Sequence, residues 1–301
     1  MSQATPFESL PAPSEGELLV VVGPTASGKT ELATRLAERF DGEIVSADSV
    51  QIYRRFDIGS GKPTPGEAAR ARHHLVDAIE PDGPMDAGLY ASRAEAAIVD
   101  IRARGKVPIV CGGTFLWIKA LLWGLAESGP RDETIRARHR AIAETEGRAL
   151  LHSQLAAVDP EAAARLAPND FVRVSRALEV VELTGKPQSA WHKEHGFAAP
   201  RYAFRMFEVA RERSEIDDRI AQRANDWLSQ GWVAEVEALL QSGFGETRAM
   251  ASVGYKEVHA HLRGELSAEE LPIAIVRSTR VFVRRQRTWL RDQKKEIVSL
   301  A

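Results

Sequence analysis

Eight residues constrain this chain more than any others: Gly23-Pro-Thr-Ala-Ser-Gly-Lys-Thr30. They fit the spacing G-x-x-x-x-G-K-[ST]. They also follow an apolar, β-branched run, Leu18–Val22, and open a stretch with helical apolar spacing from Gly28 to about Phe40. A strand, a glycine loop and a helix in that order make a phosphate cradle. Gly23, Pro24, Thr25, Ala26, Ser27 and Gly28 form the loop, and N–H groups of the loop and helix N-terminus point at phosphate oxygens. Lys29 adds a positive charge, and the Thr30 hydroxyl is placed to ligate Mg²⁺. The motif implies a bound di- or triphosphate, and leaves open whether that phosphate is transferred, hydrolysed or lost as a leaving group.

Further strand patterns at Glu43–Ala47, Val107–Cys111 and Tyr202–Val209 alternate with helical ones. That order predicts an α/β fold, a P-loop-type parallel sheet flanked by helices. Ligands of such sheets sit at the carboxyl ends of the strands, so Gly23–Thr30, Asp48 and Gly112–Thr114 are expected to gather at one edge. Between 127 and 196 only helical patterns occur, broken at Pro160, Pro168 and Gly185-Lys-Pro187. The expected division is a loose acidic, Pro-rich tail at 1–16, a catalytic core of 17–126 plus 197–301, and a smaller all-helical insertion at 127–196. One cysteine, Cys111, excludes an internal disulfide and a multi-cysteine zinc site, which predicts a cytoplasmic protein. No apolar run approaches the ~18 residues that span a bilayer.

Asp48 lies just past a strand of the same sheet, within Ser46-Ala-Asp-Ser-Val-Gln-Ile-Tyr53. A carboxylate facing a phosphate loop can take a proton from an incoming nucleophile. Capping of the next turn and Mg²⁺ held through water are the other uses of an acid there. The strand 107–111 ends in Cys-Gly-Gly, without the acid that would organise water for nucleotide hydrolysis.

Six segments occur in order: the phosphate loop, Ser46–Gly59, Gly112-Gly-Thr114, Arg173-Val-Ser-Arg-Ala-Leu-Glu-Val180, Val253-Gly-Tyr-Lys256 and Arg285-Gln-Arg-Thr-Trp289. Together, from about 18 to 295, they closely resemble the bacterial tRNA dimethylallyltransferases. The resemblance implies transfer of a dimethylallyl group from dimethylallyl diphosphate to N6 of adenosine 37 of tRNA, beside the anticodon, with Mg²⁺ required. It makes Asp48 the general base, places Thr25 near the bridging oxygen, gives Lys29 and Thr30 the diphosphate and metal, and brings Arg223 to the diphosphate. It further implies tRNA contacts at Asp48, Ser49, Val50 and Gln51, at Thr114 and Arg136, at Val172, Arg173, Val174, Ser175 and Arg176, and at Ala251, Ser252, Val253, Gly254, Tyr255 and Lys256. The helical insertion is then a clamp on the anticodon stem-loop. Phe115, Trp117, Trp123, Phe171 and Trp191 are candidates for stacking on bases or for core packing. Arg173 and Arg176 share a helix with Glu179 and Glu182, and Arg136 follows Asp132, so ion pairing competes with RNA contact there. Two other classes share the phosphate loop: a small-molecule or nucleoside kinase, and a non-catalytic RNA-binding switch. A single donor and a single RNA loop demand no symmetry, which makes a monomer the expectation.

A formal net charge of −2 excludes a uniformly basic protein. It hides a local concentration, because Arg277 to Lys295 holds eight basic residues and one acid. Arg277, Arg280, Arg284, Arg287 and Arg291 follow the 3,4 spacing of one helical face, while Val276, Phe282, Val283, Trp289 and Leu290 are expected to face the core. Such a stripe is relieved either by acids from elsewhere or by a polyanion.

Overall fold

A computed structural model describes residues 4–126, 129, 131–196 and 199–300. The strands are β1 (Thr5–Pro6), β2 (Leu18–Val22), β3 (Gly42–Ala47), β4 (His73–His74), β5 (Val107–Gly112), β6 (Phe204–Val209) and β7 (Glu296–Ser299). The helices are α1 (Lys29–Phe40), α2 (Pro65–Arg70), α3 (Ala87–Ala103), α4 (Phe115–Trp123), α5 (Glu133–Thr145), α6 (Arg148–Val158), α7 (Pro160–Arg165), α8 (Phe171–Thr184), α9 (Gln188–His195), α10 (Arg213–Ser229), α11 (Trp232–Gln241), α12 (Tyr255–Leu262) and α13 (Glu270–Arg291). Two compact units result. One joins the chain up to Leu122 with the chain from Arg201, and the other is Trp123–Pro200. The expected domain boundaries at 127 and 197 fall on positions outside the described residues. No described helix is long and apolar enough to cross a membrane.

The first unit is built on one sheet, in the order β1-β7-β6-β2-β5-β3-β4, with every pairing parallel. Leu18–Val22 has no polar residue and is fully buried, as a strand covered on both faces requires. Val22 and Ala47 both pair with Gly112, so β2, β5 and β3 end level with one another. Only glycine fits at 112, since a Cβ there would overlap the backbone of Ala47. The loop after β2, Asp48 after β3 and Gly113-Thr114 after β5 therefore leave the sheet at the same height.

Residues 4–16 are not a loose tail, which corrects the expectation for all but the first three residues, which lie outside the description. Thr5 and Pro6 pair with Val298 and Ser299. Phe7 and Leu10 join the core cluster that includes Leu19, Leu36 and Val298. Arg39 donates to the carbonyls of Phe7, Glu8 and Leu10. Two apolar side chains and one arginine outweigh the Pro-rich composition. The other missed strands, β4 and β7, are also short.

In the second unit Leu151, Leu155, Ala162, Ala163, Val174, Ala177 and Leu178 form a separate core, with Phe171 packed against it. Pro160 does not merely break a helix; it is the first residue of α7, with Asp159 as N-cap accepting from Ala162 N at 3.0 Å. Because Leu10 is 1 % exposed, Leu10→Ala is expected to destabilise the protein by about 3 kcal/mol in urea titration; a change near zero would return residues 4–16 to a loose tail.

Candidate active site

The level strand ends floor a cavity of about 470 Å³ in the first unit. Thr25, Asp48, Gly113 and Thr114 line its floor, and Arg223, Trp227, Trp232, Ile275 and Phe282 are among its other lining residues. Gly28, with φ +92°, stands at the N-cap of α1, and no side chain caps the helix. Ser27 Oγ is buried with no hydrogen-bond partner.

Arginines hold the loop from the α10 side. Arg211 Nε donates to Ser27 O at 3.0 Å, and Arg219 Nε donates to Ala26 O at 2.9 Å. Arg223 Nη2 donates to the Thr25 hydroxyl, and its guanidinium lies 4.5 Å from the centre of the Trp227 ring. Burial lowers the Arg223 pKa to about 10, against the pull of Asp48. Desolvation also lowers that of Lys29, while Cys111 and Asp48 raise it. Asp48 therefore lies close to the desolvated Lys29 and Arg223 side chains.

Asp48 is anchored through one oxygen. Its Oδ1 accepts from Val50 N at 2.9 Å and Gln51 N at 3.3 Å. Capping of the turn is thus real, and it coexists with a place in the cavity lining rather than replacing it. Ser49 N donates to Thr114 Oγ1 at 3.0 Å, and Thr114 N donates to Ala47 O at 3.1 Å, which ties the ends of β3 and β5.

Gln286, to which the sequence assigned no role, closes the site from α13. Its Oε1 accepts from Thr25 N at 2.9 Å and its Nε2 donates to Gly113 O at 3.0 Å. It lies on the buried face with Leu271, Ile275, Thr279, Val283 and Leu290. Its polarity on that mostly apolar face, within Arg285-Gln-Arg-Thr-Trp289, is the signal that could have marked it. Phe282, expected in the core, is 38 % exposed and lines the cavity. The stripe itself is divided: Arg280 pairs with Asp217 at 3.2 Å and Arg291 with its neighbour Asp292 at 3.2 Å, while Arg277 and Arg284 are exposed.

Of the expected RNA-facing residues, Asp48, Ser49, Val50, Thr114, Ala251, Ser252, Val253 and Lys256 line the cavity. Gly254 and Tyr255 are buried instead. In the second unit Val172 is 75 % exposed, but Val174 and Ser175 are buried. Side-chain contact by all of Val172–Arg176 is thereby corrected, because a helix turns two of the five inward, where Ser175 Oγ meets His139 Nδ1 at 2.9 Å. Arg136 and Arg176 converge on the fully buried Glu179. Burial opposes ionisation of Glu179, yet hydrogen bonds from these arginines and from Asp132 N hold its pKa down at about 2. Asp132 caps α5 rather than pairing with Arg136, and Glu182 pairs with Arg138 and His139 rather than with Arg176. Phe115 stacks on Trp289 at 4.2 Å and Trp117 on Tyr90 at 4.5 Å, so both are packing residues. No cluster of three metal-ligating side chains occurs among the described residues.

A family model described as IPP transferase matches residues 51–293. A tRNA dimethylallyltransferase of Sorangium cellulosum is 66 % identical over 294 residues, covering 98 % of this chain and 94 % of its own. One of Geobacter sulfurreducens is 48 % identical, covering 93 % and 90 %. Among solved structures, the full-length tRNA isopentenylpyrophosphate transferase of Bacillus halodurans superposes with a TM-score of 0.69 at 33 % identity, over 95 % of this chain and 89 % of its own. A eukaryotic dimethylallyltransferase acting on tRNA gives 0.79 at 26 % identity, over 94 % and 73 %.

Gln286→Ala leaves Thr25 N and Gly113 O without their buried partner. Affinity for inorganic diphosphate, measured by calorimetry, is expected to fall about tenfold. Unchanged affinity would show that the loop holds its shape without α13.

Proposed function

The chain belongs to the IPP transferase family, and from that premise we propose that it transfers a dimethylallyl group from dimethylallyl diphosphate to N6 of adenosine 37 in the tRNA anticodon stem-loop, releasing diphosphate. The observation that carries this reading is the placement of Asp48 beside the Thr25–Arg223 pair at the level ends of β2 and β3. One cavity thus offers an acceptor for a proton and donors for a leaving group. A kinase would share the loop and an acid, but the relatives reported above are named for dimethylallyl transfer.

The adenine amine is a poor nucleophile, because its lone pair is delocalised into the ring. As N6 bonds to the allylic carbon, the carbon–oxygen bond to diphosphate breaks and a proton leaves N6. Asp48 is the base that takes it, using the carboxylate oxygen that the following turn does not occupy. Negative charge grows on the departing bridging oxygen, where Thr25 Oγ1, held by Arg223, and Lys29 stabilise it most in the transition state. The uncapped N-terminus of α1 and residues 23–28 take the remaining diphosphate oxygens.

Mg²⁺ fits this set: the first turn of α1 has no capping side chain, Ser27 Oγ is unpartnered, and Thr30 stands second in the helix. When bound, the ion would neutralise charge on the diphosphate, with Thr30 as its protein ligand. The target base must leave its stack to enter the cavity. Its loop is read by Asp48–Gln51, Thr114, Ala251–Val253 and Lys256, and the helical unit offers the stem Arg136, Val172, Arg173 and Arg176. The enzyme acts as a monomer in the cytoplasm, on the grounds that one donor and one RNA loop require no second copy and that the single cysteine suits a reducing compartment.

Asp48→Asn keeps an oxygen that can accept from Val50 N while removing the base. Single-turnover transfer is expected to slow by about 10²–10⁴ with the tRNA dissociation constant little changed; a rate near wild type would assign proton removal elsewhere. Affinity for tRNA is also expected to fall steeply with salt. Replacing Arg277 and Arg284 by Gln should lower the magnitude of the log–log slope by about 1–2, whereas an unchanged slope would mean that the stripe faces solvent only.

A further inference from the structure

One carboxylate outside the reacting groups joins two walls of the cavity. Glu235 lies in the first turns of α11 and is half-buried. Its Oε2 accepts from Asp57 N at 3.1 Å and Ile58 N at 2.7 Å, and its Oε1 accepts from the Tyr255 hydroxyl at 2.7 Å. The first two bonds hold the loop that gives the cavity Gly59 and Ser60. That loop is tied in turn to Gln51, whose Nε2 donates to Gly61 O at 2.8 Å. The third bond holds Tyr255, which Gly254 joins to the wall formed by Ala251, Ser252 and Val253.

The same turn of α11 fixes both loops by packing. Trp232, fully buried, lies against Gly59 and Gly254, where a Cβ would overlap the indole ring. Gly254 also has φ +93°, which a side chain would strain. Tyr255 meets the Trp232 ring edge-on at 5.4 Å and Phe56 at 4.9 Å. The hydrogen bonds to the phosphate loop, by contrast, come from Arg211, Arg219, Arg223 and Gln286, none of which bonds to Glu235.

We propose that Glu235 is a positioning residue for tRNA. It holds the loop after Gln51 and the segment before Tyr255 at the separation in which they receive the RNA, and it takes no part in the chemistry. This rests on the assignment of those two segments as tRNA contacts. A main-chain N–H that loses its acceptor in a half-buried site must be re-solvated, and the loop moves to reach water. Loss of Glu235 therefore weakens tRNA binding and leaves the donor site alone.

The test is steady-state prenyl transfer by the full chain, varying tRNA at saturating donor and donor at saturating tRNA, together with tRNA affinity by fluorescence anisotropy. Glu235→Ala is expected to raise the KM and the dissociation constant for tRNA about tenfold, with kcat within about twofold and the KM for donor unchanged. Glu235→Gln keeps an oxygen for the two N–H groups and an amide facing Tyr255, and should restore most of the loss. Tyr255→Phe removes one of the three bonds while keeping the ring packing. It should give a smaller effect of the same kind, which preserves the test if the alanine variant does not fold. The proposal is overturned if either variant changes the KM for donor as much as that for tRNA, if tRNA affinity is unaffected, or if the Gln variant is as impaired as the Ala variant. Anisotropy needs no turnover, so a wild type that binds tRNA without transferring an allyl group fails the functional assignment, while loss of binding in the variants still supports the role of Glu235.

Discussion

The pairing of both Val22 and Ala47 with Gly112 is the constraint on which the site depends. A parallel sheet brings the carboxyl ends of its strands to one edge, but only this register brings the loop after β2, the acid after β3 and the Gly-Thr pair after β5 to one height. A shift of one residue would move Asp48 by about 3.3 Å along the strand and turn alternate side chains to the other face. Gly112 protects the register, because any larger residue would drive β5 away from Ala47.

Around that floor the helices divide the work. Residues of the α10 region place positive charge on the loop carbonyls and beside Thr25. α13 uses one face for apolar burial and one glutamine, Gln286, to lock the loop to β5. α11 holds the two walls farther from the phosphate loop. Charge follows the same plan: Lys29 and Arg223 are desolvated near Asp48, where negative charge growing on a departing diphosphate is stabilised. Ionic groups elsewhere serve structure, as Glu179 shows by gathering Arg136 and Arg176 within the helical unit.

The phosphate loop, the strands β2, β3, β5 and β6 and the long helices were legible because each carries its own local pattern: glycine spacing, a β-branched run, or apolar residues at helical intervals. The edge strands β1 and β4, and β7 beside β1, were not. Thr5–Pro6 and His73–His74 are two residues each, too short for any periodicity, and exist because a neighbouring strand offers unpaired backbone groups. Asp48 was visible from its place after a strand. Gln286, Trp232 and Glu235 were not assigned a role, since they hold partners far away in sequence: Gln286 reaches Thr25 across 261 positions. The helical turn also sorted residues that a contiguous motif could not, burying Val174 and Ser175 between the exposed Val172 and Arg173 and the partly buried Arg176.

The central claim is that a fold built to hold nucleotide phosphates uses its loop here to release diphosphate from an allylic carbon. The most direct measurement incubates the protein with Mg²⁺, unmodified tRNA and dimethylallyl diphosphate labelled in the allyl group, then digests the RNA to nucleosides. Label on N6 of the adenosine from position 37, with one diphosphate released per group transferred, is the expected result. Absence of label on adenosine, with phosphate moving from ATP to a small acceptor instead, would contradict it.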